Sequence, residues 1–137
     1  MTNDGRSIEQ TLTRLAWGTD KRDLEYIKDS YTADARWIRR RRDGSEDVLD
    51  GREAIVAHLE ASWAKNPPKG VSKHVVTNVL IEDTGDGEAQ VSSYKTGFRV
   101  ESAKPVLASI ATYDDVFVNE DGVWRIKERT LTPEGDL

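Results

Sequence analysis

The chain has 137 residues, no cysteine, a formal net charge of −5, and 36% hydrophobic and 33% charged residues. This length suits one domain with one core, and the composition is too apolar for a disordered chain. The lack of cysteine excludes disulfides and thiolate metal ligands, while the acidic balance argues against a nucleic-acid-binding protein, which needs a basic face.

Two further features concern location. No apolar run approaches the roughly 18 residues of a membrane-spanning helix, so no membrane partner is expected. Residues 1–6 lack the basic and apolar segments of a signal peptide, which favours a cytoplasmic protein. We therefore expect one cytoplasmic domain over residues 1–137.

The first half of the chain predicts three helices. Ser7 and Gln10 have the spacing of a capping box, which predicts a helix that begins there and ends near Gly18. Asp23 is expected to cap a second helix that fades near residues 32–34. Asp50 repeats the capping-box pattern before a third helix, which the run 66–70, with its two prolines, should end.

A short hairpin is predicted between the second and third helices, with strands at 35–40 and 46–49. Its tip carries the basic run 39–42, next to an Asp-Gly turn signal. The arginines are interpreted as partners of Glu46 and Asp47 on the returning strand. A grip on phosphate or on an acidic partner is the alternative.

The second half predicts four strands, at residues 72–82, 88–100, 106–119 and 123–131, with a hairpin turn at 119–122. Three helices followed by such a meander predict an α+β fold, in which helices cover one face of a bent antiparallel sheet. Nothing in the pattern indicates a parallel pairing.

The strand that begins at residue 72 carries the first candidate for chemistry. Alternation places His74, Val76, Asn78 and Leu80 on one face. An imidazole at the end of this largely apolar row could act as a general base if a carboxylate reaches it. A core histidine satisfied by a backbone carbonyl is the alternative.

The order of elements and six short motifs resemble the SnoaL-like branch of the nuclear-transport-factor-2-like superfamily. The motifs are Ala16-Trp17-Gly18-Thr19-Asp20, Tyr31-Thr32-Ala33-Asp34-Ala35-Arg36-Trp37, Asp50-Gly51-Arg52-Glu53-Ala54-Ile55, Lys73-His74-Val75-Val76-Thr77-Asn78, Tyr113-Asp114-Asp115 and Gly122-Val123-Trp124-Arg125-Ile126-Lys127-Glu128-Arg129. The resemblance implies a cone, a strongly curved sheet wrapped round helices with an apolar pocket at its wide end.

Within that branch the chain is most similar to gamma-hexachlorocyclohexane dehydrochlorinase, scytalone dehydratase and the bile-acid dehydratases. These enzymes work without a metal or an organic cofactor through a pocket Asp-His pair, which falls here on Asp20 and His74. Trp37 matches an aromatic wall residue and Arg129 a pocket arginine. Where those enzymes usually carry a Tyr or Lys that helps the leaving group depart, this chain has Leu15. Asp20 could instead simply cap the second helix.

Other residues are candidates for the same pocket. Asn78 and Tyr94 are candidate donors to a developing oxyanion, and Trp17 is a candidate wall residue. Strand alternation from Trp124 and Ile126 turns Arg129 outward unless a bulge intervenes. His58, in the middle of the third helix, is interpreted as a surface residue.

The sequence therefore predicts a cofactor-independent lyase or isomerase acting on a small apolar, cyclic or polyketide-like metabolite. With Leu15 in place of the usual polar residue, isomerisation or cyclisation becomes nearly as plausible as elimination. The rival hypothesis is a non-catalytic ligand-binding or oligomerisation module, which a filled pocket or a separated Asp20 and His74 would favour. An epoxide-opening hydrolase is disfavoured because its Asp-Arg-Asp constellation is not evident. The resemblance also implies a homo-oligomer, a dimer or trimer.

Overall fold

A computed structural model describes residues 5–68 and 70–136. The first four residues, used above to predict location, and Lys69 of the helix-ending run lie outside the described residues. The described chain forms three helices, α1 (Ile8–Lys21), α2 (Leu24–Ser30) and α3 (Arg52–Lys65). It also forms six strands: β1 (Tyr31–Arg40), β2 (Glu46–Asp50), β3 (Ser72–Asp83), β4 (Glu88–Glu101), β5 (Lys104–Glu120) and β6 (Val123–Asp136). Within this part of the chain, no helix is long and apolar enough to cross a membrane.

The first helix begins as predicted but ends later. The Ser7 hydroxyl accepts a hydrogen bond from the backbone N–H of Gln10 at 3.1 Å. Gly18 does not end the helix, because α1 continues to Lys21 and Arg22 caps it in the left-handed conformation. A Cβ at Gly18 would lie only 2.8 Å from the Cβ of Tyr26, so this glycine allows α2 to pack closely against α1.

The boundaries of the other two helices correct the sequence reading. Asp23 caps α2 as predicted, but α2 ends at Ser30 and the chain enters β1 at Tyr31 rather than remaining helical to about residue 33. The predicted capping box at Asp50 is wrong, because Gly51 is the N-cap of α3 and no side chain caps it. Asp50 still pairs with β1, so it lies one residue outside the cap position.

The six strands form one curved, open sheet in the order β2-β1-β6-β5-β4-β3. All neighbouring strands are antiparallel except β1 and β6, which run parallel. The expectation of a purely antiparallel sheet is therefore wrong. The parallel pair is possible because β1 and β6 are separated by most of the chain, which provides the long crossover that parallel strands need. The α+β cone predicted from the sequence is confirmed.

The basic run belongs to the hairpin, as predicted. Arg40 lies 3.2 Å from Glu46 across the β1–β2 pair, and Arg41, one residue beyond β1, lies 2.8 Å from Asp47. These exposed pairs contribute little stability, but they partner two of the four arginines with acids of the same hairpin.

The core lies between the helices and the concave face of the sheet. Four of its residues also line a cavity, so the core's edge forms part of the cavity wall: Leu15, Ile27, Tyr31 and Ile55. The residues buried in this core are Ile8, Leu12, Leu15, Ile27, Tyr31, Ala35, Ile55, Ala89, Val91, Phe117 and Ile126.

Candidate functional site

A cavity of about 190 Å³ opens between the helices and the concave face of the sheet. Its volume lies below the roughly 300–1,000 Å³ typical of drug-sized ligands, so it suits a compact molecule. None of the described residues that line it is acidic. They are Leu15, Thr19, Ile27, Tyr31, Trp37, Leu49, Ile55, His58, Leu59, His74, Lys95, Tyr113, Arg129 and Leu131.

Asp20 and His74 are in direct contact at this cavity. The Asp20 carboxylate accepts the backbone N–H of His74 at 3.0 and 3.1 Å, and its Oδ1 lies 2.6 Å from the ring atom Nδ1 of His74. Since a carboxylate can only accept, Nδ1 carries the proton in this contact. Among the described residues, Nε2 has no hydrogen-bond partner, and His74 lines the cavity.

The position of Asp20 does not serve the helix that carries it. The side chain lies in the last turn of α1, where the helix dipole disfavours a negative charge. Asp23, not Asp20, caps α2. The carboxylate, whose side chain is only 13% exposed, is instead held by the two donors of His74. The two alternatives, a capping Asp20 and a carbonyl-bound His74, are both wrong.

Arg129 forms a buried ion pair in the cavity wall. Its Nε and one terminal nitrogen donate to the two oxygens of Asp115 at 2.8 and 2.9 Å, and its guanidinium carbon lies 3.6 Å from the centre of the Tyr113 ring. Arg129 points inward because β6 contains a bulge: Val116 pairs with Glu128 but the next residue pairs with Ile126. The extra residue reverses the alternation that had turned Arg129 outward.

Burial governs the ionisation of this group of residues. Burial lowers the pKa of Arg129, but the Asp115 carboxylate outweighs this and raises the pKa above its ordinary value, so Arg129 stays charged. Burial also raises the pKa of Asp115, against the opposing charge of Arg129. The pKa of Tyr113 is raised by burial, so its phenol stays neutral near pH 7. The wall therefore presents a cation whose charge Asp115 already balances.

Lys95 lines the cavity and was missed by the sequence reading. Its Nζ donates a hydrogen bond to the hydroxyl of Ser109 at 2.9 Å. Burial lowers the pKa of Lys95, and the nearby charge of Arg39 lowers it further. The signal in the sequence was the buried alternation of Ala89 and Val91, which places Lys95 on the same face of β4.

Three predicted site residues lie outside the cavity. Asn78 is exposed with a φ of 54°, inside a bulge that interrupts β3 between Thr77 and Leu80. Tyr94, 54% exposed, stands on the convex face of the sheet, and Trp17, also 54% exposed, stacks under Lys21. The pocket positions predicted for Asn78, Tyr94 and Trp17 are therefore wrong.

Two aromatic rings from different elements meet at the cavity wall. Trp37 lies there as predicted. His58 does too, with its ring centre 6.3 Å from that of Trp37 in a stacked arrangement. His58 is exposed, as predicted for a surface residue, and it also lines the cavity. No group of three or more His, Cys, Asp or Glu residues in the described chain is arranged to hold a metal ion.

Comparison with known proteins agrees with this architecture. A family model described as SnoaL-like domain matches residues 1–130. Among solved structures, ActVI-ORFA from Streptomyces coelicolor has a TM-score of 0.77 at 21% identity, covering 93% of this chain and 95% of that chain. A candidate scytalone dehydratase from Novosphingobium aromaticivorans has a TM-score of 0.78 at 20% identity, covering 96% and 85%.

A third solved structure is an NTF2-like protein with a cystatin-like fold from Novosphingobium aromaticivorans, with a TM-score of 0.74 at 18% identity, covering 92% of this chain and 79% of that chain. At these identities the likenesses establish the fold alone. No curated protein gives a significant sequence match. The family model, in contrast, spans nearly the whole chain, and this chain belongs to the SnoaL-like domain family.

Proposed function

We propose that this protein is a cofactor-independent lyase or isomerase that removes a proton from carbon in a small apolar, cyclic or polyketide-like metabolite. The observation that carries the proposal is the 2.6 Å contact between Asp20 Oδ1 and His74 Nδ1 at the wall of an otherwise largely apolar cavity. This contact leaves Nε2 of His74 as the acceptor that faces a bound molecule.

The chemistry follows from the protonation of the two ring nitrogens. Nε2 takes a proton from a substrate C–H, and Asp20 stabilises the imidazolium that forms. The electron pair of the broken bond then forms a double bond as a leaving group departs with its own pair, or moves onto a conjugated carbonyl. In the second case His74 returns the proton to another carbon, which is an isomerisation. General-base catalysis of this kind contributes roughly 10²- to 10⁴-fold.

Leu15 decides what α1 can contribute to this step. It is buried and lines the cavity, so α1 places an apolar group where the similar dehydratases and dehydrochlorinase carry a Tyr or Lys. A leaving group therefore receives no help from that position. This favours isomerisation or cyclisation, in which no group must depart, at least as much as elimination.

The rival proposal is a non-catalytic binding or oligomerisation module. It would be favoured by a cavity filled with side chains or by an aspartate too far from the imidazole for a hydrogen bond. The cavity is open and the two side chains touch, and both observations support the enzyme. Membership of the SnoaL-like family and the fold shared with a candidate dehydratase add further support.

Proton abstraction can be tested before the substrate is known. A panel of cyclic ketones, β-hydroxy ketones and halogenated cyclohexanes is incubated with the protein in D₂O, and loss of C–H signal is followed by proton NMR. Wild type should accelerate exchange or conversion of at least one compound. His74→Ala should abolish this while circular dichroism shows an intact fold.

The matched control is Asp114→Asn, which alters an exposed aspartate on the convex face and should keep wild-type rates. Undiminished exchange in the His74→Ala protein would reject the proposal.

A further inference from the structure

We propose that Lys95 is an anion-binding residue of the cavity, and that the cavity takes a compact apolar molecule bearing one anionic oxygen, such as a carboxylate or an enolate. This assigns a substrate class to the site, and it rests on the proposed function in treating the cavity as a substrate site. The binding of the anion does not depend on whether His74 abstracts a proton.

The first support is the charge balance of the cavity wall. Arg129 and Lys95 are its two permanent cations, and no described residue lining the cavity is acidic. Arg129 has both oxygens of Asp115 as partners. Lys95 forms no ion pair with any described carboxylate, and its hydrogen-bond partner is the neutral hydroxyl of Ser109. Among the described residues, its positive charge is therefore the one in the wall that no carboxylate balances.

The second support is the place of the ammonium group relative to His74. Gly97 pairs with His74 on β3 and with Ser109 on β5, so these three residues stand in one row across the sheet. Lys95 Nζ lies 3.7 Å from the point where a Cβ of residue 97 would be. Cross-strand side chains on one face stand about 4.5–5.5 Å apart, so the ammonium lies on the strand next to that of His74, and both side chains line the same cavity. One small molecule can reach both groups.

Gly97 is what leaves room for this arrangement. A Cβ there would come within 2.5 Å of the Ser109 hydroxyl, which is too close for any real side chain. Any other residue at this position would displace the hydroxyl that holds Lys95. The glycine, the serine and the lysine thus form one unit that presents an ammonium group to the cavity.

The third support is energetic. Taking a lysine partly out of water without a carboxylate partner costs stability, and the lowered pKa of Lys95 reflects this cost. A residue whose role is purely structural is expected to stabilise the fold. If the lysine binds an anion, the ligand supplies the missing negative charge and offsets the cost of desolvating the ammonium group.

The chemical consequence joins the two groups. When Nε2 of His74 removes a proton next to a carbonyl or carboxylate, negative charge develops on the oxygen. The Lys95 ammonium stands where it can stabilise that oxygen. Lys95 thus supplies a polar group to the cavity from the sheet, whereas Leu15 supplies none from α1.

The test uses two probes of the same shape, benzoate and benzamide, in isothermal titration calorimetry. Wild type should bind benzoate at least about tenfold more tightly than benzamide, because a charge-assisted hydrogen bond is roughly twice as strong as a neutral one. Lys95→Met should lose this preference and keep its affinity for benzamide, while Lys95→Arg should retain the preference. Lys73→Met, which removes an exposed lysine of β3, should behave as wild type.

A second readout separates an anion-binding role from a structural one. The melting temperature of Lys95→Met without ligand should equal or exceed that of wild type. Methionine is similar in size to lysine but carries no charge, so the substitution removes the cost of desolvating the ammonium group. A lower melting temperature, or an unfolded protein, would assign Lys95 to the fold and overturn the proposal. So would equal affinity for the two probes, no benzoate binding by wild type, or an undiminished preference in Lys95→Met.

Failure of the proposed function would look different. His74→Ala should keep the preference for benzoate whether or not it has lost proton abstraction, because Lys95 is unchanged. A protein that prefers benzoate through Lys95 but shows no His74-dependent exchange would leave the anion site standing and remove the catalytic proposal.

Discussion

Asp20 binds His74 through two groups of the same residue, the backbone N–H and the ring nitrogen Nδ1. The first contact fixes the carboxylate against β3, and the second sets the plane of the ring and the position of its proton. Because Asp20 lies in the last turn of α1, the orientation of the imidazole depends on how that helix is positioned against the sheet. Mutations that shift α1 should therefore change the site as well as the stability.

Gly18 offers the direct test of this dependence. Gly18→Ala places a methyl group 2.8 Å from the Tyr26 Cβ, so α1 and α2 must separate. Overpacking costs about 1–3 kcal/mol, more than the roughly 1 kcal/mol that alanine gains over glycine in a helix. Urea denaturation should show a net loss of stability, together with weaker proton exchange because Asp20 lies two residues along the helix. Thr13→Ala on the exposed side of α1 is the control, and a stabilised Gly18→Ala protein would contradict the account.

The effects on stability of mutating Arg129 and Asp115, which form a buried ion pair, should be strongly coupled. Removing one partner of such a pair costs about 3–5 kcal/mol because the other charge stays buried without compensation. Arg129→Met should therefore lower the free energy of unfolding by that amount. The double variant with Asp115→Asn should recover part of the loss. Equal losses in the single and double variants would show that packing, not charge, governs this wall.

Asp29 predicts a specific dependence of stability on pH. Burial raises its pKa, but the hydrogen bonds and charges of Arg6 and Arg125 outweigh this and leave the pKa below its ordinary value. A carboxyl group with a lowered pKa in the folded state contributes stability above its unfolded pKa of about 3.9 and loses it as the pH falls further. The difference in unfolding free energy between wild type and Asp29→Asn should be constant from pH 7 to 5 and shrink below pH 4. A difference that grows with acid would contradict this.

The convex face of the sheet predicts self-association. Val75, Tyr94 and Ile110 stand there on three adjacent strands, and each is more than a third exposed. Covering such a face with a second copy would bury apolar surface that a monomer leaves in water. Light scattering should report a dimer or trimer, and Tyr94→Asp should shift it toward monomer without changing the fold. A monomeric wild type at high micromolar concentration would refute the prediction.

Much of the fold could be predicted because its signals are local. The caps at Ser7 and Asp23, the hairpin turn after Asn119 and the run of β-rich segments all act within a few residues. The parallel pairing of β1 with β6 could not be predicted in this way, because it joins segments about ninety residues apart and no local pattern encodes it. Gly18 was misread because a glycine that permits close helix packing has the same local signature as one that ends a helix.

The site was predicted where it rested on the family resemblance and missed where it rested on counting along strands. Asp20, His74, Trp37 and Arg129 line or adjoin the cavity, although their functional roles stay predictions. The pocket position predicted for Asn78 was wrong because a bulge changes the alternation of β3, and the sequence carries no clear signal for a bulge. Tyr94 was proposed as an oxyanion donor on the strand next to His74, yet the parity of β4 turns Tyr94 outward and Lys95 inward.

The central claim is that Asp20 holds the proton of His74 on Nδ1 and leaves Nε2 free to accept one. Long-range proton–nitrogen correlation NMR of the two histidines, at a pH where His74 is neutral, measures this directly. Wild type should show an unprotonated Nε2 for His74, and Asp20→Asn should shift the ring toward the Nε2–H form that free histidine prefers. A protonated Nε2 in wild type, or an identical spectrum in Asp20→Asn, would contradict the claim.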